Sequence, residues 1–348
     1  MATLVIGGTG FIGSAIVREL VALNVPVRAT CRRGEPRAPE IAALPAEWIA
    51  ADLLDPISIR YAMEGCDHVF FCAGNIDLRQ RDTTYIHETH VQGAKVVFQA
   101  ALDAGVRRLV FTSSIFALGL GPKGGPLADE SIAYNLDDLR SPYICAKREA
   151  ELLAQDYSTQ GLDIITLYVG FCAGPGDRNR TSSRLLLTYI NGWLPITLSG
   201  GLCQVDVRDA AHAQILAMDR GEPHGRYLIT GHNVTYEQVF DELSTLTGRR
   251  HLPVTLPNAP LHPLASALEK VNHRLPLDYG TAELLRSTWW YDDSKARLEL
   301  VIAYRPLVAT YADTIAWFVA QGRLAPRYLE RLQQAAPTPS QLDTSQSA

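Results

Sequence analysis

The first thirteen residues, M-A-T-L-V-I-G-G-T-G-F-I-G, constrain this chain more than any other stretch. Thr3 to Ile6 is a short apolar run with β-branched residues, and it stops at Gly7. From Phe11 the period turns helical, with Phe11, Ile12, Ala15, Ile16, Val17, Leu20 and Leu23 forming a wide apolar face. Strand, glycine-rich turn and helix is the context that a dinucleotide-binding site demands. Gly7 permits the tight turn, Gly10 lets backbone approach a pyrophosphate, and Gly13 lets the helix pack close to the sheet. The helix N-terminus then offers unpaired N–H groups and a positive dipole end to phosphates. A bare glycine pattern is weak, because Gly119, Gly121 and Gly124 repeat it. There Pro122 and Pro126 forbid a helix after the glycines, so that copy reads as loop.

Strands alternate with helices through the first half. Val25 to Thr30 is a second strand, followed by Cys31-Arg32-Arg33-Gly34. At this point a dinucleotide fold selects its coenzyme: an acid binds the ribose 2′-OH of NAD, a cation the 2′-phosphate of NADP. Here there is no acid, and Arg32 and Arg33 stand together with Arg28 as a possible helper. The planar fork of arginine suits phosphate oxygens, so NADP(H) is expected and NAD(H) disfavoured. Trp48 to Ala51 is a third strand ending at Asp52-Leu53, where Asp52 can reach an adenine, and Asp55-Pro56 opens the next helix. His68 to Ala73 is a fourth strand whose Ala73-Gly74 end lets ligand approach the backbone. Residues 84–104 are helical, and Val106 to Ser113 is a buried fifth strand closing in Thr112-Ser113-Ser114. The loop from Gly119 to Asp138, rich in glycine, proline and acid, suggests a mobile flap. A helix begins at Pro142, and Asp163 to Val169 is a sixth strand.

The fold class that follows is α/β, a Rossmann-type doubly wound parallel sheet, with a smaller, mostly helical C-terminal substrate-binding section. Residues 1–169, completed by 205–232, form the coenzyme domain. Residues 170–204 and 233–330 form the substrate section, and 334–348, all Gln, Ser, Thr and Pro in character, form a disordered tail. Ligands bind such sheets at the carboxyl ends of the strands, from which Gly74, Ser114 and Gly170 all emerge.

Composition excludes several classes. A net charge of −5 over 348 residues gives no reason to expect nucleic acid. No apolar run approaches the roughly 18 residues of a membrane span, and a strand starting at residue 3 leaves no room for a signal peptide. The six cysteines (31, 66, 72, 145, 172, 203) show no ligand-like spacing and read as buried free thiols. A cytoplasmic, metal-free protein is expected.

The chemistry-bearing constellation is Ser114 with Tyr143-Ile-Cys-Ala-Lys147. On a helix, i and i+4 share a face, so the Lys147 ammonium stands beside the Tyr143 hydroxyl. A neighbouring cation favours phenolate and lowers the tyrosine pKa. Tyr143 then serves as proton partner of a carbonyl/alcohol pair while hydride moves to or from nicotinamide. Ser114 hydrogen-bonds the same oxygen. The match at Tyr291-Asp-Asp-Ser-Lys295 lacks a preceding buried strand ending in serine, and Asp292, Asp293 and Ser294 read as helix-capping residues.

With both constellations present, the chain resembles the extended short-chain dehydrogenase/reductase superfamily, the NAD-dependent epimerase/dehydratase family, over most of residues 1–320. The carriers are G-G-T-G-F-I-G at 7–13, A-D-L at 51–53, C-A-G at 72–74, F-T-S-S at 111–114, P-Y-I-C-A-K at 142–147, G-P-G-D at 174–177 and V-D-V-R-D at 205–209. Within it, V-R-A-T-C-R at 27–32 looks like dihydroflavonol reductases, which use NADPH. S-S-I-F-A-L-G at 113–119 and Y-D-D-S-K-A at 291–296 look like hopanoid-associated sugar-epimerase-like members. Members like 3-beta-hydroxysteroid dehydrogenase are also near. The resemblance implies Ser114, Tyr143 and Lys147 as catalytic residues. It implies Gly7, Thr9, Gly10, Phe11, Ile12, Arg32, Arg33, Asp52, Leu53, Ala73, Gly74, Tyr143 and Lys147 as coenzyme contacts, and a homodimer built on helices near 84–104 and 143–160. Three departures stand out. The family often has Asn where His90 stands, and Arg-Pro where this chain has Tyr168-Val169. Sugar-nucleotide epimerases commonly carry an asparagine near Phe171 to hold diphosphate, which Phe171 cannot do.

The leading expectation is therefore an NADP(H)-dependent carbonyl reductase or alcohol dehydrogenase acting on a small, largely apolar ketone or alcohol. Phe116, Leu118, Phe171, Leu185 and Trp193 are its candidate pocket wall. An NAD-dependent sugar epimerase or dehydratase needs the same Ser, Tyr and Lys, but Arg32, Arg33 and Phe171 lean against it. A non-catalytic dinucleotide sensor has no need of a proton donor.

Overall fold

The computed structural model describes residues 2–32, 34, 36–74, 83–139, 141–179, 182–192, 196–249, 252–256 and 287–335. The first half alternates as expected: β1 (Ala2–Ile6), α1 (Phe11–Ala22), β2 (Val27–Cys31), α2 (Pro39–Ala42), β3 (Glu47–Ala50), α3 (Pro56–Met63) and β4 (Cys66–Phe71). Then come α4 (Thr83–His87), a π-helical turn at Glu88–Gln92, α5 (Gly93–Asp103), β5 (Arg108–Ser114), α6 (Pro142–Thr159) and β6 (Ile164–Val169). Chain order continues through β7 (Phe171–Ala173), α7 (Arg184–Ile190), β8 (Ile196–Leu198), β9 (Gly201–Asp206), α8 (Val207–Arg220) and β10 (Arg226–Ile229).

Seven strands form one sheet in the order β10-β6-β5-β4-β1-β2-β3, and every neighbouring pair is parallel. The strands read as continuous apolar runs because both faces are covered. On one face α3, α5 and α6 bury Phe71, Phe98 and Phe111 together. Phe98 meets Phe71 and Phe111 edge-on, at 5.8 and 5.4 Å between ring centroids. On the other face α1 and α8 close over Val5, Val110, Ile165 and Leu167. The strand order reverses between β1 and β4, the switch point where such sheets open a crevice at their carboxyl ends.

Past β6 the smaller, mostly helical section also carries short strands. β9 pairs with β7, with β11 (His232–Thr235) and with β13 (Thr288–Trp289), making a second sheet, and β8 pairs with β12 (Leu252–Leu256). These strands are two to six residues long, and β9 is buried at all six positions. Neither period 2 nor length marks them in the sequence. The helices around them have clear local signals. α9 (Tyr236–Thr247) starts on a capping box, with Thr235 accepting from Gln238 N, and ends on left-handed Gly248. The helix Leu307–Ala320 follows Pro306.

Three local expectations change. Residues 119–138 form a clasp rather than a free flap. Asn135 exchanges two hydrogen bonds with the Leu120 backbone, Glu130 accepts from Leu228 N at 2.7 Å, and Ala128 O accepts from Asp292 N. Arg28 points to the amino end of the sheet, donating to Glu47 at 3.0 Å and to the carbonyls of Ala62 and Glu64. It caps the end of α3 and is no helper for a 2′-phosphate. Cys145 is exposed, whereas burial pushes the Cys72 and Cys203 thiols up to about 12. Of the expected disordered tail, Gln334 and Ala335 instead close the helix Arg327–Ala335, and residues 336–348 lie outside the described residues. Among the described residues, no helix is long and apolar enough to cross a membrane.

Candidate active site

The cradle is built from the glycine turn and the end of β4. Gly7 has φ of +93°, and a Cβ there would lie 2.7 Å from the backbone of Ala73. At Gly13 a Cβ would lie 2.1 Å from Gly7 O. Only glycine lets β1, β4 and α1 converge so closely. Thr30 Oγ1 accepts from Gly7 N at 3.0 Å and fixes the turn. Gly10 is exposed, with only Gly7 O near its would-be Cβ, and no side chain caps the first turn of α1. Those N–H groups, with the helix dipole behind them, fit a pyrophosphate. This is the physical test for a dinucleotide, and the residues meet it.

The remaining residues expected at a coenzyme ring the same edge. Thr9 is exposed, and Phe11 and Ile12 are half-buried at the head of α1. Ala73 abuts Gly7, and Gly74 is exposed beside it. Asp52 is exposed past β3, its Oδ1 accepting from Leu54 N, whereas Asp55 caps α3. Leu53 packs against Gly93, at the head of α5. Arg32 is exposed just past β2. Arg33 lies outside the described residues.

Ser114, the last residue of β5, and Tyr143 and Lys147, on the first turns of α6, are brought together and buried. Pro142 at the first helical position starts α6 and so sets where Tyr143 falls. The Ser114 hydroxyl acts on the Tyr143 phenol and pulls its pKa down against burial. Ser114 Oγ also accepts from Phe116 N at 3.3 Å. Lys147 Nζ lies 5.9 Å from the centre of the Tyr143 ring. One expectation is corrected: burial holds the Tyr143 phenol above its ordinary value, with only the Ser114 hydroxyl opposing it. The cation that was to lower it is itself pushed down to about 8, by burial, against the opposing pull of Glu151. Desolvation outweighs the charge–charge effect for both groups.

That burial has a measurable consequence. Between about 8, its folded value, and 10.5, its ordinary one, Lys147 binds more protons in the unfolded chain than in the folded one. Stability therefore rises with pH across that window, and the penalty is complete below it. Lys147→Met removes the titration. The stability of the variant minus that of the parent should fall by on the order of 2–3 kcal/mol between pH 7.5 and 10.5. Urea unfolding at a series of pH values measures this, and a flat difference would refute it.

An aromatic wall flanks the triad. Phe116 meets Tyr143 edge-on at 6.0 Å, Phe171 at 5.8 Å and Trp289 at 4.9 Å. Of the expected pocket residues, Phe116 and Leu118 are buried in this cluster, and half-buried Phe171 packs against it. Leu185 belongs instead to a separate core with α7, α9 and Leu307–Ala320, because the chain turns away after Ala173. Trp193 lies outside the described residues. His90, carried inward on the π-helical turn, is buried with its ring 5.3 Å from that of Tyr143. A Cβ on Gly74 would lie 2.8 Å from its Cε1.

Some residues at the site had no sequence assignment. Trp289 is distant in sequence and carries no motif. Glu151 could have been found, because it puts a charge one turn beyond Lys147 on a face otherwise made of Ala146, Ala150 and Ala154. The second Tyr-x-x-x-Lys is structural, as expected. Lys295 Nζ donates to Arg226 O and lies over the Tyr227 ring, and Asp292 accepts from Ser294 N.

The chain is similar to known proteins over most of its length. Residues 3–230 match the model of the NAD dependent epimerase/dehydratase family. Sterol demethylase protein B of Methylococcus capsulatus is 31% identical over 331 residues, covering 93% of this chain and all of that protein. A putative dihydroflavonol 4-reductase of Synechocystis is 32% identical, covering 91% of this chain and 94% of the relative. The crystal structure of gox2253 superposes with a TM-score of 0.81 at 29% identity, covering 93% of this chain and 99% of that one.

Proposed function

Since the chain belongs to the NAD dependent epimerase/dehydratase family, we propose that it is an NADP(H)-dependent carbonyl reductase or alcohol dehydrogenase acting on a largely apolar ketone or alcohol. The observation that carries this reading is a hydroxyl pair, Ser114 and Tyr143, buried beside Lys147 and walled by Phe116, Phe171 and Trp289. An aromatic wall favours a substrate with a largely apolar or aromatic body, and relatives named for sterol demethylation and dihydroflavonol reduction suit a substrate of that kind.

The coenzyme, when bound, supplies or accepts the hydride. The residues do the rest. Tyr143 gives a proton to the carbonyl oxygen, or takes one from the alcohol. Ser114 hydrogen-bonds that same oxygen and steadies the charge developing on it. Lys147 keeps a positive charge next to the phenol and holds coenzyme. Gly7, Thr9, Gly10, Phe11 and Ile12 carry the pyrophosphate, Asp52 and Leu53 the adenine side, and Ala73 and Gly74 the backbone edge nearby. Arg32 and Arg33 take the 2′-phosphate. In this reading residues 1–169 with 205–232 bind coenzyme and the rest binds substrate. The protein is a cytoplasmic homodimer built on α5 and α6.

With Arg28 committed to α3, the 2′-phosphate depends on Arg32 and Arg33. NADPH should bind more tightly than NADH, and Arg32→Ala should cost NADPH roughly 10- to 100-fold, the worth of a charged hydrogen bond, while sparing NADH. Fluorescence titration with both coenzymes tests this. Tightly held NAD that co-purifies with the protein would favour an epimerase or dehydratase instead.

A further inference from the structure

α6 carries a second buried charge beyond the one used at the site. Glu151 is fully buried, one helical turn past Lys147 and on the same face. Its Oε1 accepts from the Tyr168 hydroxyl at 2.5 Å and from Gln155 Nε2 at 3.1 Å. Arg226, at the partly exposed rim, donates its Nε to the same Tyr168 hydroxyl at 2.6 Å and lies 3.8 Å from the carboxylate. The other oxygen, Oε2, is buried without a protein hydrogen-bond partner. Three elements, α6, β6 and β10, thus converge on one carboxylate.

A buried carboxylate is costly unless opposite charge lies near it. One is Arg226, reached through Tyr168; the other is Lys147, whose ammonium is favoured by Glu151. Tyr143 lies beside Lys147 on α6 and Glu151 acts on it from the next turn, while Tyr168 on β6 and Arg226 on β10 face Glu151. His90 faces Tyr143 from the π-helical turn, and Glu130 of the clasp acts on Arg226. Glu151 is the anion of this set that acts on Lys147 directly.

We propose that Glu151 is a positioning residue for Lys147: anchored from behind by Tyr168 and Arg226, its carboxylate keeps the buried ammonium charged and directed along α6 beside Tyr143. The proposal rests on the role given to Lys147 in the proposed function. Its primary readout, a titration of Lys147 itself, needs neither substrate nor coenzyme.

The chain has five lysines, so the full-length protein labelled with 13C at lysine Cε gives a simple NMR spectrum. The Lys147 line is identified by its loss in Lys147→Arg. In Glu151→Gln, which keeps shape but removes charge, the Lys147 titration should move down by about one pH unit or more, the effect of losing a close opposite charge. Glu151→Asp, which restores the charge, should recover part or all of it. Should the glutamine variant not fold, Glu151→Met, which leaves no polar atom to satisfy, is read instead with the same expected direction. A Lys147 titration unmoved, or moved upward, in the neutral variant that folds would overturn the proposal. The alkaline limb of kcat/KM should move down with the NMR titration in the same variant. A Lys147 line that shifts as expected while turnover ignores Tyr143→Phe would leave the Glu151 assignment standing and remove the catalytic reading instead.

Discussion

Tyr143→Phe is expected to lower turnover by roughly a hundred- to ten-thousandfold, the usual contribution of a positioned general acid or base, and to leave coenzyme affinity nearly unchanged. The reason lies in how the ring is held. The Tyr143 ring is packed edge-on between His90 and Phe116, at 5.3 and 6.0 Å, and Phe fills the same volume. Only the hydroxyl, on which Ser114 acts, is lost. Because burial holds that phenol high, it stays protonated at neutral pH in the protein itself, which suits a donor to a carbonyl oxygen. Reduction of a ketone followed at the nicotinamide absorbance, with coenzyme binding measured in parallel, makes the check. Full activity in the variant would take Tyr143 out of the chemistry. Loss of coenzyme binding together with activity would point to a collapsed site instead.

Gly7→Ala is expected to damage both stability and coenzyme binding. Two costs add there. The residue has φ of +93°, and its new methyl would sit 2.7 Å from the Ala73 backbone, which belongs to the neighbouring strand end and cannot rotate aside. A strained φ costs about 1–3 kcal/mol and overpacking about the same, so the sum is on the order of 2–6 kcal/mol. Gly65 supplies the control. Its φ is +71° with nothing within 4 Å of a Cβ, so Gly65→Ala carries the strain alone, about 1–2 kcal/mol. Chemical denaturation of both variants measures the difference. Equal losses would mean that β1 and β4 can part at the switch point without cost. Coenzyme titration of Gly7→Ala then shows whether the cradle survives in the folded fraction.

Where the sequence was informative, a local rule had a local cause. The glycine spacing, Asp55 as a cap and Pro142 at the start of α6 are each satisfied by residues within a few positions. The parallel sheet was readable because strands buried on both faces are written as apolar runs. Where the sequence was silent, the cause was remote or the signal short. β9 joins partners from residues 171–173, 232–235 and 288–289, and no periodicity in six residues announces that. Arg28 was misassigned for the same reason: its distance along the strand from Thr30 is small, but its partners lie on α3, at the opposite edge of the sheet.

By itself, then, the amino-acid order determined the doubly wound class, the glycine turn and the grouping of Ser114, Tyr143 and Lys147, because each rests on contacts made within one turn or one strand–helix unit. Tertiary structure alone decided the electrical state of those groups. How deeply Tyr143 and Lys147 are withdrawn from water, which aromatic rings close over them, and that Glu151, Tyr168 and Arg226 stand behind the lysine depend on elements brought together across the chain. Desolvation is a property of that packing, and no spacing of residues encodes it.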